Sequence, residues 1–176
     1  MDNLLKYFIN EPEREFHVRE LAKIIKKSPT TISKYLTQMK KENLLLSRRE
    51  LGHLLFKANN ESQEFKSKKL FHNIDLIRKS GLIDYLESEL NYPKAIVLFG
   101  SFAKAENILS SDIDLMIVTS SKKELNLTKF ENKIGHSIQL FMINPSKMEQ
   151  MKKSNPELLN NFINGIILSG YLEVFQ

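Results

Sequence analysis

The sequence predicts a mixed α+β chain in two parts, a small helical part closed by a two-stranded ribbon and a second part in which strands and helices alternate. Three observations predict it. Apolar residues recur at helical spacing in three successive segments before residue 42. Two short strand-like runs flank a glycine-containing turn, Leu44 to Arg48 and Leu54 to Ala58. Beyond Pro93, the run Ala95-Ile96-Val97-Leu98-Phe99 is short enough for a buried strand and opens a mixed α/β alternation. The expected division is residues 1–60, connecting helices over 61–90, and 91–176.

Each element follows from local chemistry. Leu4, Leu5, Phe8 and Ile9 make an apolar stripe on a first helix from Asp2 to Ile9, which Pro12 ends. Phe16-His17-Val18 is a short extended piece, and Arg19 to Lys26 a second helix. Ser28-Pro29 supplies an N-cap followed by Pro at the first helical position. The third helix runs to about Lys41, with Ile32, Leu36 and Met39 inward and Thr30, Thr31, Ser33, Lys34 and Gln38 outward. The two ribbon strands join through Glu50-Leu51-Gly52-His53. Asn59 to Lys69 is polar, a linker or the start of a helix, and Leu70 to Leu90 is helical with a break at Gly81. After the Ala95 strand come a strand from Asp112 to Val118, a helix from Lys122 to Ile134 and a strand from Ser137 to Ile143. A helix opens at Asn144-Pro145 and another spans Glu157 to Leu168. Tyr171 to Phe175 is a terminal extended piece. Phe162 to Leu168 is a stretch for core packing or for contact with a second copy.

Composition narrows the class. Of the residues, 41% are hydrophobic and 27% charged, ordinary for a globular protein. With no Cys, neither a disulfide framework nor a thiolate metal site is available, and His17, His53, His72 and His136 are too scattered for a histidine zinc site. The N-terminus lacks the basic-then-apolar layout of a signal peptide, and no apolar run approaches the roughly 20 residues of a membrane span. A cytoplasmic location is expected. The net charge of +5 is localised: residues 1–60 hold 12 Lys and Arg against 7 Asp and Glu, and the rest of the chain holds 14 of each. A basic surplus confined to one region is the electrostatic footprint of a nucleic-acid binder.

The stretch Val18-Arg19-Glu20-Leu21-Ala22, followed by Ser28-Pro29-Thr30-Thr31-Ile32-Ser33-Lys34-Tyr35-Leu36, resembles the helix-turn-helix of winged-helix transcription regulators. That resemblance implies double-stranded DNA as a partner, with the second helix of the pair in the major groove. Thr30, Thr31, Ser33, Lys34 and Gln38 would then meet bases and phosphates. Lys26, Lys27 and Lys40 would add backbone charge, and Arg48, Arg49 and His53 would lie at the wing. Such domains often bind paired half-sites as two-fold dimers, so a homodimer is a further expectation.

The second part carries the chemistry. Gly100 ends a strand, permits a sharp turn and lets a phosphate approach the backbone, while Ser101 adds a hydroxyl donor. Asp112 and Asp114, two apart on a strand, send both carboxylates from one face. Such a pair repels itself unless a proton or cation lies between, and a hard divalent ion held partly by substrate phosphates fits. On these residues the chain resembles the nucleotidyltransferase superfamily that includes DNA polymerase β, above all its minimal branch. The resemblance covers about 95 to 145 and implies a small mixed sheet flanked by helices. It places an NTP, ATP being the expected one, on Gly100, Ser101 and Lys104, and Mg²⁺ on the catalytic pair Asp112 and Asp114.

Two departures follow. Ala105 stands where the family has Gly after its basic residue. A third carboxylate, on a later strand, aligns with Gln139, an amide that cannot serve as a base near neutral pH. Two functions stay open. One is a DNA-binding transcriptional regulator whose nucleotidyltransferase-like domain binds Mg-nucleotide with weak or lost transfer. The other is an active Mg-dependent enzyme moving a nucleotidyl group to a hydroxyl of a protein, RNA or small molecule, an antitoxin-type transferase among them. Glu131 or Glu106 swinging into the site would favour the second.

Overall fold

The structure, a computed structural model, describes residues 2–173. The chain divides into two compact units between Lys69 and Leu70, inside one long helix. The first unit holds α1 (Asp2–Asn10), β1 (Phe16–His17), α2 (Val18–Ile25), α3 (Pro29–Lys41), β2 (Leu45–Glu50) and β3 (His53–Ala58). Its strands form an antiparallel sheet in the order β1-β3-β2. The apolar stripes of the three helices and Phe16, Leu45 and Phe56 of the sheet make one core.

Local chemistry sets these boundaries. Ser28 caps α3 by accepting a hydrogen bond from the Thr31 N–H at 3.1 Å, with Pro29 next in line. Ile32, Leu36 and Met39 recur one turn apart and are buried. Glu50 faces His53 across the β2–β3 ladder, which leaves a two-residue turn. Its residues Leu51 and Gly52 have φ of 46° and 78°, the paired positive values that match the strands' twist.

The long helix α4 (Gln63–Ser80) begins seven residues before the expected start at Leu70. Ser62 is the reason: its Oγ accepts from the Phe65 N–H at 3.2 Å, a cap inside a stretch whose polarity reads as linker. Beyond the break at Gly81 comes α5 (Leu82–Glu89). The remaining elements of the second unit are β4 (Ala95–Phe99), α6 (Gly100–Ala103), β5 (Ile113–Val118), α7 (Thr128–Ile134), β6 (Ile138–Ile143), α8 (Pro145–Ser154), α9 (Pro156–Ile163) and β7 (Ile166–Gly170). The sheet order is β6-β5-β4-β7; only the β5–β6 pair is parallel, so the sheet is mixed. One face packs on α4, α5, α6 and α7 through Ile77, Leu86, Phe102 and Phe130. The other packs on α8 and α9 through Met148, Met151, Leu159 and Phe162. Mixed α and β content with a helix-flanked sheet is the α+β class that the sequence predicts.

Three further expected elements differ. The helix from Lys122 to Ile134 is confined to α7. Upstream, the Thr119 and Ser121 hydroxyls accept from the N–H groups of Ser121 and Lys123, local bonds that replace helical ones. The single helix from Glu157 to Leu168 is α9 followed by β7. Gly165 makes that turn, because a Cβ there would lie 2.5 Å from Val97 Cγ1 and 2.6 Å from the Leu98 carbonyl oxygen. The stretch Phe162 to Leu168 thus straddles a turn, with Phe162 and Leu168 in cores on opposite sheet faces. Of the expected extended piece Tyr171 to Phe175, residues 171–173 have no regular structure and 174–175 lie outside the described residues.

Ser28→Ala removes the α3 cap and is expected to cost about 1 kcal/mol of stability. A urea titration followed by far-UV circular dichroism measures it; an unchanged midpoint would mean that the cap contributes nothing.

Candidate functional site

β4 is buried along its whole length and delivers Phe99 opposite Asp114 of β5. Gly100 follows at φ 69° and starts α6. The Asp114 carboxylate lies directly against this glycine: a Cβ on Gly100 would be 2.3 Å from Asp114 Oδ2 and 3.2 Å from its Cγ. Any side chain at residue 100 would therefore have to expel the acid from its place. The left-handed backbone adds a second reason for glycine.

Asp112 does not lie on the strand as expected but immediately before it. Its neighbours hold it in place. The Ser111 carbonyl accepts from His136 Nδ1 at 2.8 Å, Ser111 Oγ accepts from the Ile108 N–H at 2.9 Å, and the Ile113 N–H donates to the Ser137 carbonyl at 2.8 Å. Burial, and then the charge of Asp112, raise the Asp114 carboxyl above the usual aspartate range. The charge of Asp112 therefore reaches Asp114, which is partly buried.

Gln139 stands opposite Asp114 in the parallel β5–β6 register. Its Nε2 donates to Asp112 Oδ2 at 2.6 Å. The amide thus lies where the resemblance calls for a third acid, and it partners one carboxylate of the pair. Among the described residues, no three His, Asp or Glu side chains cluster as a metal site. The donor set is two hard carboxylates and one neutral amide. That set suits a single Mg²⁺ shared with phosphate oxygens, and gives a second ion no third carboxylate to bridge to. Glu131 is engaged elsewhere: its Oε1 accepts from the Ile138 N–H at 3.0 Å. Glu106 is exposed beyond α6.

Ser101 is half-buried in the first turn of α6, and Lys104, exposed, follows its last residue. Ala105 has φ 58°, the left-handed conformation for which the family's glycine is suited.

Three positioning residues escaped the sequence reading. Buried Asn73 of α4 donates through Nδ2 to the Phe102 carbonyl at 3.0 Å and to Asn107 Oδ1 at 2.8 Å, tying α6 and its following loop to the helix. His136 meets the Phe102 ring edge-on at 4.9 Å. The available signal was Asn73 itself, a polar residue on the apolar stripe of Leu70, Ile74 and Ile77. Two clefts of about 430 Å³ each, sharing Lys94, Val118 and Pro145, lie at the opposite ends of the strands.

In the first unit, Thr30, Lys34, Gln38, Arg48 and Arg49 are exposed, while Thr31 and Ser33 are partly covered. The Thr31 hydroxyl shares a 2.8 Å hydrogen bond with Ser28, and Gln38 donates to Glu42 at 2.9 Å. Arg48 forms a two-point pair with Glu15, both bonds 2.6 Å, and also reaches Glu50 at 3.1 Å. This holds the Glu15 carboxyl below its ordinary range.

A glycine turn cradling one of two acids at the edge of a small mixed sheet defines the second unit as a nucleotidyltransferase-type fold. The sequence agrees: the family described as Polymerase beta, Nucleotidyltransferase matches residues 80–171, more than half of the chain, and the chain belongs to it. The match is wider than the 95 to 145 of the signature and takes in α5 and β7. No curated protein matches the chain. No helix among the described residues is long and apolar enough to cross a membrane.

Gly100→Ala is expected to cost about 1–2 kcal/mol from backbone conformation alone, before the displaced carboxylate is counted. Denaturant melts check it, and a stability equal to wild type would contradict the close approach. Because the folded Asp114 holds its proton more tightly than the unfolded chain does, apo stability should fall as pH rises through the interval just above the usual aspartate range. Asp114→Asn should flatten that segment of the stability–pH curve.

Proposed function

We propose that this chain is a DNA-binding transcriptional regulator whose C-terminal domain binds a Mg-nucleotide and transfers nucleotidyl groups weakly or not at all. The observation that carries this reading is the Gln139 amide bonded to Asp112 at the place of the third acid. Asp112 and Asp114 would hold Mg²⁺, which when bound neutralises phosphate charge. Gly100 lets the Asp114 carboxylate lie against the turn, Ser101 offers a hydroxyl donor, and Lys104 a cation. Gln139 can orient Asp112 but cannot take a proton from an attacking hydroxyl near neutral pH. Binding needs the pair of acids and the turn; transfer needs the base that is missing.

For the first unit we infer a winged helix, supported by three helices, an antiparallel ribbon, and a basic surplus confined to this part of the sequence. α2 and α3 form the helix-turn-helix and β2–β3 the wing. Thr30 and Lys34 on α3 and Arg49 on β2 have no partner among the described residues, which suits them to DNA contact. Arg48, already held by Glu15 and Glu50, serves to brace the wing, so Lys34 and Arg49 carry the phosphate contacts.

Titration calorimetry with Mg-ATP should show binding to wild type and at least a tenfold loss in Asp112→Ala. Labelled-nucleotide transfer should stay near background. Robust transfer that Asp112→Ala abolishes would overturn the regulator reading. Gln139→Asp should raise Mg²⁺ affinity, and an unchanged affinity would undo its placement in the site. Duplex DNA binding should weaken steeply with salt. Lys34→Ala should lower affinity and reduce the slope of log K against log salt by about 0.9, the value for one phosphate contact. Salt-insensitive binding, or none to any duplex, would remove the DNA reading.

A further inference from the structure

β6 is an edge strand that pairs with β5 alone. The Ser137 and Ile143 carbonyls accept from Ile113 and Thr119. Residues 137, 139, 141 and 143 therefore turn their backbone groups toward β5, and the period of two turns Ile138, Leu140 and Met142 to the open edge. Ile138 confirms the phase, since its N–H is taken by Glu131. The other edge of the sheet is also guarded: the Leu168 carbonyl of β7 accepts from Arg78 Nη2 at 2.9 Å. Leu140 and Met142 have no such cover among the described residues. The strand bears no charge, lysine or proline, the usual devices that blunt an edge.

Leu140 and Met142 are among the residues that bound a cleft of about 570 Å³, together with Lys147, Met151, Leu158 and Phe162. That volume is in the range of small-ligand sites. The Phe141 ring also lines the cleft and packs edge-on against Phe99 at 5.3 Å, the residue before Gly100. Asp114, Met116 and Val118 alternate onto the same sheet face, where Met116 and Val118 pack with Met151 and Phe162. From β6 to Gly100 is two strand spacings, about 10 Å, and two residues along the strand, about 7 Å. A ribose and a phosphate chain bridge such a span.

We infer that this cleft holds the base of the nucleotide and that the edge of β6 selects adenine. The inference rests on the nucleotide-binding reading above. The Leu140 carbonyl accepts from the adenine amino group, and the neighbouring Met142 N–H donates to the adjacent ring nitrogen. Guanine presents an acceptor where adenine has its amino donor, so it meets carbonyl against carbonyl. Leu158 and the edge of Met151 cover the base with apolar surface, and fully buried Phe162 packs behind them.

The test uses the whole chain and calorimetry with Mg-ATP, Mg-GTP and Mg-tripolyphosphate. Wild type should bind ATP at least tenfold more tightly than either of the others. Met142→Pro deletes the outward N–H but leaves the β5 ladder intact, because that N–H is not part of it. It should bring ATP to within about threefold of tripolyphosphate and leave tripolyphosphate binding unchanged. Leu158→Arg fills the cleft from α9 without touching the strand and should do the same. Equal binding of ATP and tripolyphosphate by wild type would overturn the base site and leave the phosphate site standing. Binding of none of the three would remove both. A wild-type dimer that Met142→Pro dissociates, with ATP affinity unchanged, would assign the edge to a second copy and overturn the inference.

Discussion

The architecture of the second unit depends on one close approach, the Asp114 carboxylate against the α-carbon of Gly100. Without a Cβ at residue 100, the chain leaving β4 can turn directly against the Asp114 carboxylate of the paired strand β5. That placement takes Asp114 partly out of water next to Asp112, an arrangement unfavourable until a proton or cation relieves it. The rest of the unit supports this tension. α4 supplies Asn73 to fix α6, His136 fixes the residue before Asp112, and β6 supplies Gln139. Strain confined to a few atoms at the end of a buried sheet is the expected mark of a site rather than of a core.

Gln139 changes the character of that site without changing its shape. A carboxylate in its place would add a third like charge and would need ions to hold the group together. The amide instead gives Asp112 a hydrogen bond and lowers the demand for cations. Shape persists because the β5–β6 register, set by apolar residues on both strands, places residue 139 regardless of its charge. The fold is therefore kept whatever the charge at residue 139, and the family match speaks for the fold.

The fold was largely legible because its signals are local. Ser28-Pro29 announces α3, the five apolar residues of β4 announce a buried strand, and Gly100-Ser101 marks the turn after it. Misreadings came where local signals compete. Ser62 starts a helix inside a polar stretch; the Thr119 and Ser121 hydroxyls unwind the start of another; and Ile166 to Gly170 extends a helical pattern that tertiary pairing with β4 turns into a strand. In the site, Gly100, Asp112 and Asp114 could be read from spacing, and Gln139 from the family resemblance. Asn73, Asn107 and His136 could not, because what they do depends on contacts between segments far apart in sequence. The pairing of Arg48 with Glu15 is hidden for the same reason.

The Gln139–Asp112 bond has a consequence on the timescale of evolution. Glutamine and glutamate differ by one base at the first codon position, and the strand already aims residue 139 at the acid pair. A lineage carrying this chain is a single point mutation from placing an acid there. The neutral isostere keeps the position aimed at the pair, so the acid would enter without rearrangement of the strand.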